Sequence, residues 1–159
     1  MPEKLLIYTD GSSRGNPGPG GYGAILFWGN KRKELSQGYR RTTNNRMELM
    51  AVIAALKALT KTGLDIVVHS DSSYVVNAIE KRWLQSWLRI NFKGKKNADL
   101  WKEYHQLSIA HNVRFVWVKG HADNVYNNRC DELATAAADS RKWLVDTGFE
   151  MEEANPTTL

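Results

Sequence analysis

A single cysteine, Cys130, among 159 residues excludes an intrachain disulfide and a zinc site built from several thiolates. No apolar run approaches the roughly 18 residues of a membrane span. Met1 to Asp10 has no charged start ahead of a long apolar stretch, so no secretory signal is expected there. Internal repeats, low-complexity runs and a second domain are also missing. The glycine-rich stretch RGNPGPGG lacks the G-x-x-x-x-G-K-[ST] pattern and precedes a strand-like rather than a helical segment, which excludes a phosphate loop. These absences predict a reducing, cytoplasmic setting, no membrane association and no nucleotide cofactor.

The chain instead has an ordinary globular composition, 42% hydrophobic and 25% charged, and a surplus of positive charge, +5 overall. Residues 31–46 carry +5 and residues 81–102 carry +6, whereas 47–80 carry −2 and 131–159 carry −5. The second basic block mixes Trp83, Trp87, Phe92 and Trp101 with Lys81, Arg82, Arg89, Lys93, Lys95, Lys96 and Lys102. Cations beside aromatic rings suit a nucleic-acid backbone and its bases. The alternative is a solvated helix face with its tryptophans in the core.

Leu5–Thr9, Tyr22–Trp28 and about Lys33–Tyr39 read as strands of an antiparallel meander. Asn45–Thr60 reads as a helix, Leu64–His69 as a strand, Ser72–Glu80 as a short helix and Ala98–Ala110 as a helix. Val113–Val118 is a strand and the alanine-rich Asn128–Trp143 a helix. Three hairpin strands followed by strands alternating with helices predict an α/β fold. Its mixed five-stranded sheet has three antiparallel then two parallel strands and helices on both faces. The domain is expected to span 1–143, with 144–159 a mobile tail.

Four carboxylates occupy strand ends and helix starts on this map. Asp10 ends the first strand, Asp71 follows the fourth, Glu48 opens the first long helix and Asp131 lies near the start of the last. Each has a structural alternative. Asp10-Gly11 could form a turn, Asn45-x-x-Glu48 a capping box, Asp71 a helix cap, and Asp131 could offset a helix dipole. If the first and fourth strands are neighbours, the carboxylates converge instead. Such a cluster is costly unless a cation fills it, and all-oxygen ligands favour Mg²⁺ or Mn²⁺. Phosphodiester cleavage by two metals needs such a set. His121, in VKGHADN, suits proton transfer near neutral pH, or is an exposed loop histidine.

With these residues in place, the chain resembles bacterial ribonuclease HI, the type 1 ribonuclease H family. The resemblance runs from Leu5 to about Gly148. It rests on YTDGSSRGNPGPGGYG, TTNNRMEL, SDSSYV, the basic tryptophan segment ending KNADLW, WVKGHA and NNRCDELA, in that order. It implies a ribonuclease H-like fold and hydrolysis of the RNA strand of RNA–DNA hybrids, leaving 5′-phosphate and 3′-hydroxyl ends. Asp10, Glu48, Asp71 and Asp131 would hold two Mg²⁺ ions, with Mn²⁺ a possible substitute. Glu48 would also orient the RNA 2′-hydroxyl, and His121 would assist proton transfer or product release.

The resemblance places Gly11, Asn16, Asn44 and Asn45 in the hybrid's minor groove. It puts Arg41 and Thr43 on a DNA-strand phosphate, and Trp83 and Trp87 along the DNA-strand channel. It implies a monomer that reads shape and backbone rather than base sequence. Ser73 and Ser86 stand where many members carry glutamine and some asparagine. The 83–101 segment is shorter than in the long bacterial form, which implies a trimmed basic protrusion and lower hybrid affinity.

Overall fold

The computed structural model of the chain describes residues 4–120 and 123–155. Strand β1 (Lys4–Ser13) buries Leu5, Ile7 and Thr9 while Leu6 and Tyr8 are half-buried, the period of two that one packed sheet face demands. It pairs antiparallel with β2 (Gly18–Trp28), which pairs antiparallel with β3 (Lys31–Thr42). On its other side β1 pairs in parallel with β4 (Asp65–Ser70), and β4 in parallel with β5 (Asn112–Trp117). These are the five strands and the pairing senses expected.

A sixth strand was not expected. Trp143–Leu144 (β6) pairs in parallel with β3 at Gly38 and Tyr39, so the sheet order is β5-β4-β1-β2-β3-β6. The segment beyond 143, expected to be a mobile tail, contains a further helix, α6 (Thr147–Ala154). A strand of two residues has no periodicity to read, and α6 buries none of its side chains, so it shows no apolar stripe.

Helices α1 (Asn44–Lys57), α2 (Ser73–Glu80), α3 (Trp83–Arg89) and α4 (Ala98–Ser108) share one core with the sheet. It includes Ile7, Leu49, Val52, Val68, Val75 and Trp101. Helix α5 (Val125–Asp139) begins and ends a few residues earlier than its alanine pattern implied, capped at Asn124, whose side chain accepts from the Asn127 N–H. It covers the opposite sheet face. A Cβ on Gly20 would press on Met47 of α1, and one on its neighbour Gly21 would press on Ala134 and Ala138 of α5. Successive strand residues point to opposite faces, so these two contacts place α1 and α5 on the two sides of β2.

The close seat of α5 depends on glycine. A Cβ at Gly23 would lie 2.5 Å from the Cys130 carbonyl oxygen and 2.6 Å from the Leu133 Cβ. Gly23→Ala is therefore expected to destabilise the fold by about 1–3 kcal/mol through overpacking. A urea-denaturation midpoint shift would measure this, and an unchanged midpoint would mean α5 can lift off freely. No helix among the described residues is long and apolar enough to cross a membrane.

Candidate active site

The parallel pairing of β1 and β4 ends at Thr9 opposite Ser70. Asp10 is the next residue of β1 and Asp71 follows the last residue of β4, so both emerge at the same sheet end. Beyond Ser70 the flank of β1 has no strand beside it, which leaves room for side chains to converge. Helix α1 crosses β1 at Gly11, where a Cβ would collide with the Glu48 backbone. That close approach brings Glu48 over the same place. Asp10, Glu48 and Asp71 each offer a carboxylate oxygen within 4.8 Å of the others.

The structural alternatives for these residues fail one by one. Asp10 and Gly11 lie inside β1 and are no turn, although the Gly11 N–H donates to Asp10 Oδ1 at 3.0 Å. The cap of α1 is Thr43, whose hydroxyl accepts from the Arg46 N–H, so Asn45 and Glu48 form no capping box. Glu48 lies one turn into α1, and no acidic residue occupies its first turn. Helix α2 is capped by Ser72 and not by Asp71. Asp131 lies beyond the first turn of α5, where a dipole effect has faded.

Asp131 is set by the glycine contact of α5. Asp10 pairs with Gly23, and Gly23 touches the Cys130 carbonyl, one residue from Asp131. Asp131 is outside the tight trio, yet its charge reaches Asp10.

Electrostatics make the site unfavourable for bare carboxylates. Burial, then the charge of Asp71, pushes the Asp10 carboxyl up to about 8. Its contact with Glu48 and the Gly11 N–H offsets part of this, and Asp131 adds to it. Glu48 is pushed well above the carboxylate range, first by burial and then by Asp10 and Asp71. Its buried Oε1 has no hydrogen-bond partner. A buried acceptor without a donor, among like charges, fits a hard divalent cation bound by oxygen.

The start of the WVKGHA motif supports Asp71. The Trp117 indole N–H donates to the Asp71 carbonyl at 3.1 Å, and a Cβ on Gly120 would lie 2.5 Å from Asp71 Oδ2. The loop after β5 thus runs against this carboxylate. His121 follows Gly120 in sequence and lies outside the described residues. Cys130 is buried, and burial raises its thiol, as a packing residue requires.

Around this centre, Asn16 and Asn44 are joined, the Asn44 N–H donating to Asn16 Oδ1 at 3.0 Å. Asn45 is exposed in the first turn of α1. The basic tryptophan block serves both of the roles weighed for it. Trp101, Leu84 and Phe92 are core residues, whereas Trp83 is exposed and Trp87 half-buried. Lys81 stands over the Trp83 ring and Lys95 over Trp87 at just under 6 Å (5.8 and 5.9 Å).

Arg46, counted above only as one charge of a basic block, is buried. Its Nε and Nη2 donate to Asp146 at 2.8 and 2.9 Å, and Nη1 and Nη2 donate to Asp99 at 2.8 and 2.7 Å. Its place in sequence was a clue: Arg46, Met50 and Ile53 fall on one helical face.

The RNase H family model matches residues 2–139. The chain belongs to the ribonuclease H family. It is accordingly a nuclease, a phosphodiester hydrolase. It is 52% identical over 157 residues to the ribonuclease H of Pectobacterium atrosepticum, covering 96% of this chain and all of that one. It is 49% identical over 152 residues to that of Syntrophus aciditrophicus, covering 92% of this chain and 87% of the relative. Among solved structures it superposes on LC9-RNase H1, a type 1 ribonuclease H with the type 2 active-site motif. There the TM-score is 0.80 and the identity 32%, over 98% of this chain and 83% of that one. LC11-RNase H1, solved in complex with an RNA/DNA hybrid, matches with a TM-score of 0.66 and 26% identity, over 86% of this chain and 98% of that one.

Proposed function

We propose that this ribonuclease H cuts the RNA strand of RNA–DNA hybrids within the strand, leaving 5′-phosphate and 3′-hydroxyl ends. The observation that carries the reading is the trio of Asp10, Glu48 and Asp71, in which the buried Glu48 Oε1 has no hydrogen-bond partner. With Asp131 beside them, these residues would hold two Mg²⁺ ions, Mn²⁺ being a possible substitute. Bound there, the ions supply a nucleophilic water at neutral pH and charge stabilisation for the leaving oxygen.

The chain's own groups do the rest. Asp10, at the centre of the cluster, would be shared between both metal positions. Glu48 reaches the site from the α1 side and orients the RNA 2′-hydroxyl, the group that separates RNA from DNA. His121, next to the glycine that abuts Asp71, takes or returns a proton during cleavage or product release. Gly11, Asn16, Asn44 and Asn45 line the minor groove, Arg41 and Thr43 hold a DNA-strand phosphate, and Trp83 and Trp87 line the DNA-strand channel. These contacts read backbone and shape, so cleavage is largely independent of base sequence. The hybrid held by LC11-RNase H1 favours the same partner here. Monomeric action in the cytoplasm, with no small-molecule cofactor, completes the proposal.

Side-by-side digestion of labelled hybrid, duplex DNA and duplex RNA with Mg²⁺ tests it. The hybrid is expected to be cut in its RNA strand alone, and a labelled product should accept ligation at its 5′-phosphate. Cleavage of duplex DNA alone, or binding of hybrid without cleavage, would overturn the reading.

A further inference from the structure

Helix α6 places its acidic side chains on the first basic block. Glu150 accepts two bonds from Arg40, to Nε and Nη2, both 2.9 Å. Glu153 accepts three from Arg41, two from Nε at 2.8 and 3.0 Å and one from Nη2 at 2.6 Å. Both arginines are thus held in the two-pronged geometry that a guanidinium otherwise offers to a phosphate. Arg41 is one of the two residues assigned above to a DNA-strand phosphate.

These pairs are not what docks the helix. Asp146, the cap of α6, is buried, bonds Arg46 twice, accepts the Thr42 hydroxyl at 2.7 Å and receives the Phe149 N–H. Strand β6 ties the same segment to β3. By contrast, the Arg40–Glu150 and Arg41–Glu153 pairs lie at the surface, with the arginine side chains 56% and 46% exposed. Exposed pairs contribute little to stability, so their removal leaves the anchor intact, and they can open when a stronger anion arrives. Glu152 adds a third acidic residue to this eight-residue helix, which has no basic one.

We propose that Glu150 and Glu153 on α6 are built-in competitors of the nucleic-acid backbone, occupying Arg40 and Arg41 and weakening hybrid binding until phosphates displace them. This rests on the hybrid-cleaving reading of the site. It has a clear rival: the glutamates could instead hold the arginines in the pose that a phosphate needs. The two differ in sign. Competition predicts tighter binding when the glutamates are neutralised, and positioning predicts weaker binding.

The test is a Glu150→Gln, Glu153→Gln double variant of the full chain. Binding of a fluorescent hybrid is measured by anisotropy in EDTA across a salt series, and KM and kcat are measured with Mg²⁺. The dissociation constant and KM are expected to fall about 3- to 10-fold at low salt with kcat little changed. The slope of log affinity against log salt should change little, since the arginines reach the same phosphates in both complexes. Arg40→Ala and Arg41→Ala in the variant background should erase the gain. An unchanged melting temperature would show that α6 stays docked. Unchanged or weaker binding by the variant overturns the inference while the functional reading stands. A wild-type chain that neither binds nor cuts hybrid overturns both.

Discussion

Replacing Asp10 by asparagine is expected to abolish hybrid cleavage and, in metal-free solution at neutral pH, to make the protein more stable. On the proposed two-metal reading, Asp10 is a shared ligand; metal ions supply several kcal/mol to this chemistry, so the rate should fall by about 1,000-fold or more. The gain in stability follows from the direction of the carboxyl's shift. Burial first, and the Asp71 charge second, raise Asp10 from 3.8 to about 8. An acid raised in the folded state favours folding while protonated in both states, and that contribution is lost as pH climbs through the folded value. Metal-free wild type should therefore lose stability between about pH 4 and pH 8. Asparagine cannot ionise, so at pH 7 the variant should gain about 1–3 kcal/mol, or some 2–10 °C.

Saturating Mg²⁺ should raise the wild-type melting temperature and barely move the variant, because the ion offsets the repulsion that asparagine already removes. Melts from pH 4 to 9 in EDTA and in Mg²⁺, beside a hybrid-cleavage assay, check all of this. Cleavage at the wild-type rate would remove Asp10 from the proposed metal site. A variant less stable than metal-free wild type at pH 7 would refute the electrostatic account.

The largest structural effect is expected at Arg46. Arg46→Ala would leave Asp146, whose side chain is 2% exposed, as a buried charge with no cation. Breaking such a pair costs about 3–5 kcal/mol, chiefly through the stranded carboxylate. Burial works against the charge of Arg46, but its bonds to Asp99 and Asp146 outweigh that and hold the guanidinium ionised. Lysine should rescue little, since a single ammonium cannot serve two carboxylates from a planar fork. Asp146→Asn should cost less than Arg46→Ala. Its amide can still accept the Thr42 hydroxyl or the Phe149 N–H, and Asp99 still pairs Arg46. Urea denaturation of the three variants gives the order directly. A loss below 1 kcal/mol for Arg46→Ala would mean that water reaches Asp146.

Much of the centre was legible because its parts are local. The meander shows in short β-rich runs, and Asp10 and Asp71 sit where two such runs stop. The carboxylates converge only if β1 and β4 are adjacent, and the register ending at Thr9 and Ser70 makes them so. Glu48 and Asp131 were recognisable as acids on helices, but their distances to Asp10 depend on Gly11 and Gly23 admitting two helices from opposite sides.

The C-terminal segment shows where local reading ends. Residues 144–155 carry no apolar period, so they read as a tail. What holds them is Asp146 meeting Arg46, a hundred positions away in the chain. Nothing in a list of charges distinguishes that buried arginine from Arg40 and Arg41 at the surface.

The sequence by itself determined the order of the first five strands and of helices α1, α2, α4 and α5, the chemistry of four acids and the placing of positive charge in two blocks, since these depend on residue type and near neighbours. Only the tertiary structure decided which charges face each other. It gathered Asp10, Glu48 and Asp71 into mutual repulsion, buried Arg46 between two carboxylates, and laid an acidic helix on Arg40 and Arg41. Charge interactions act through space and depend on burial, and both are properties of the folded chain.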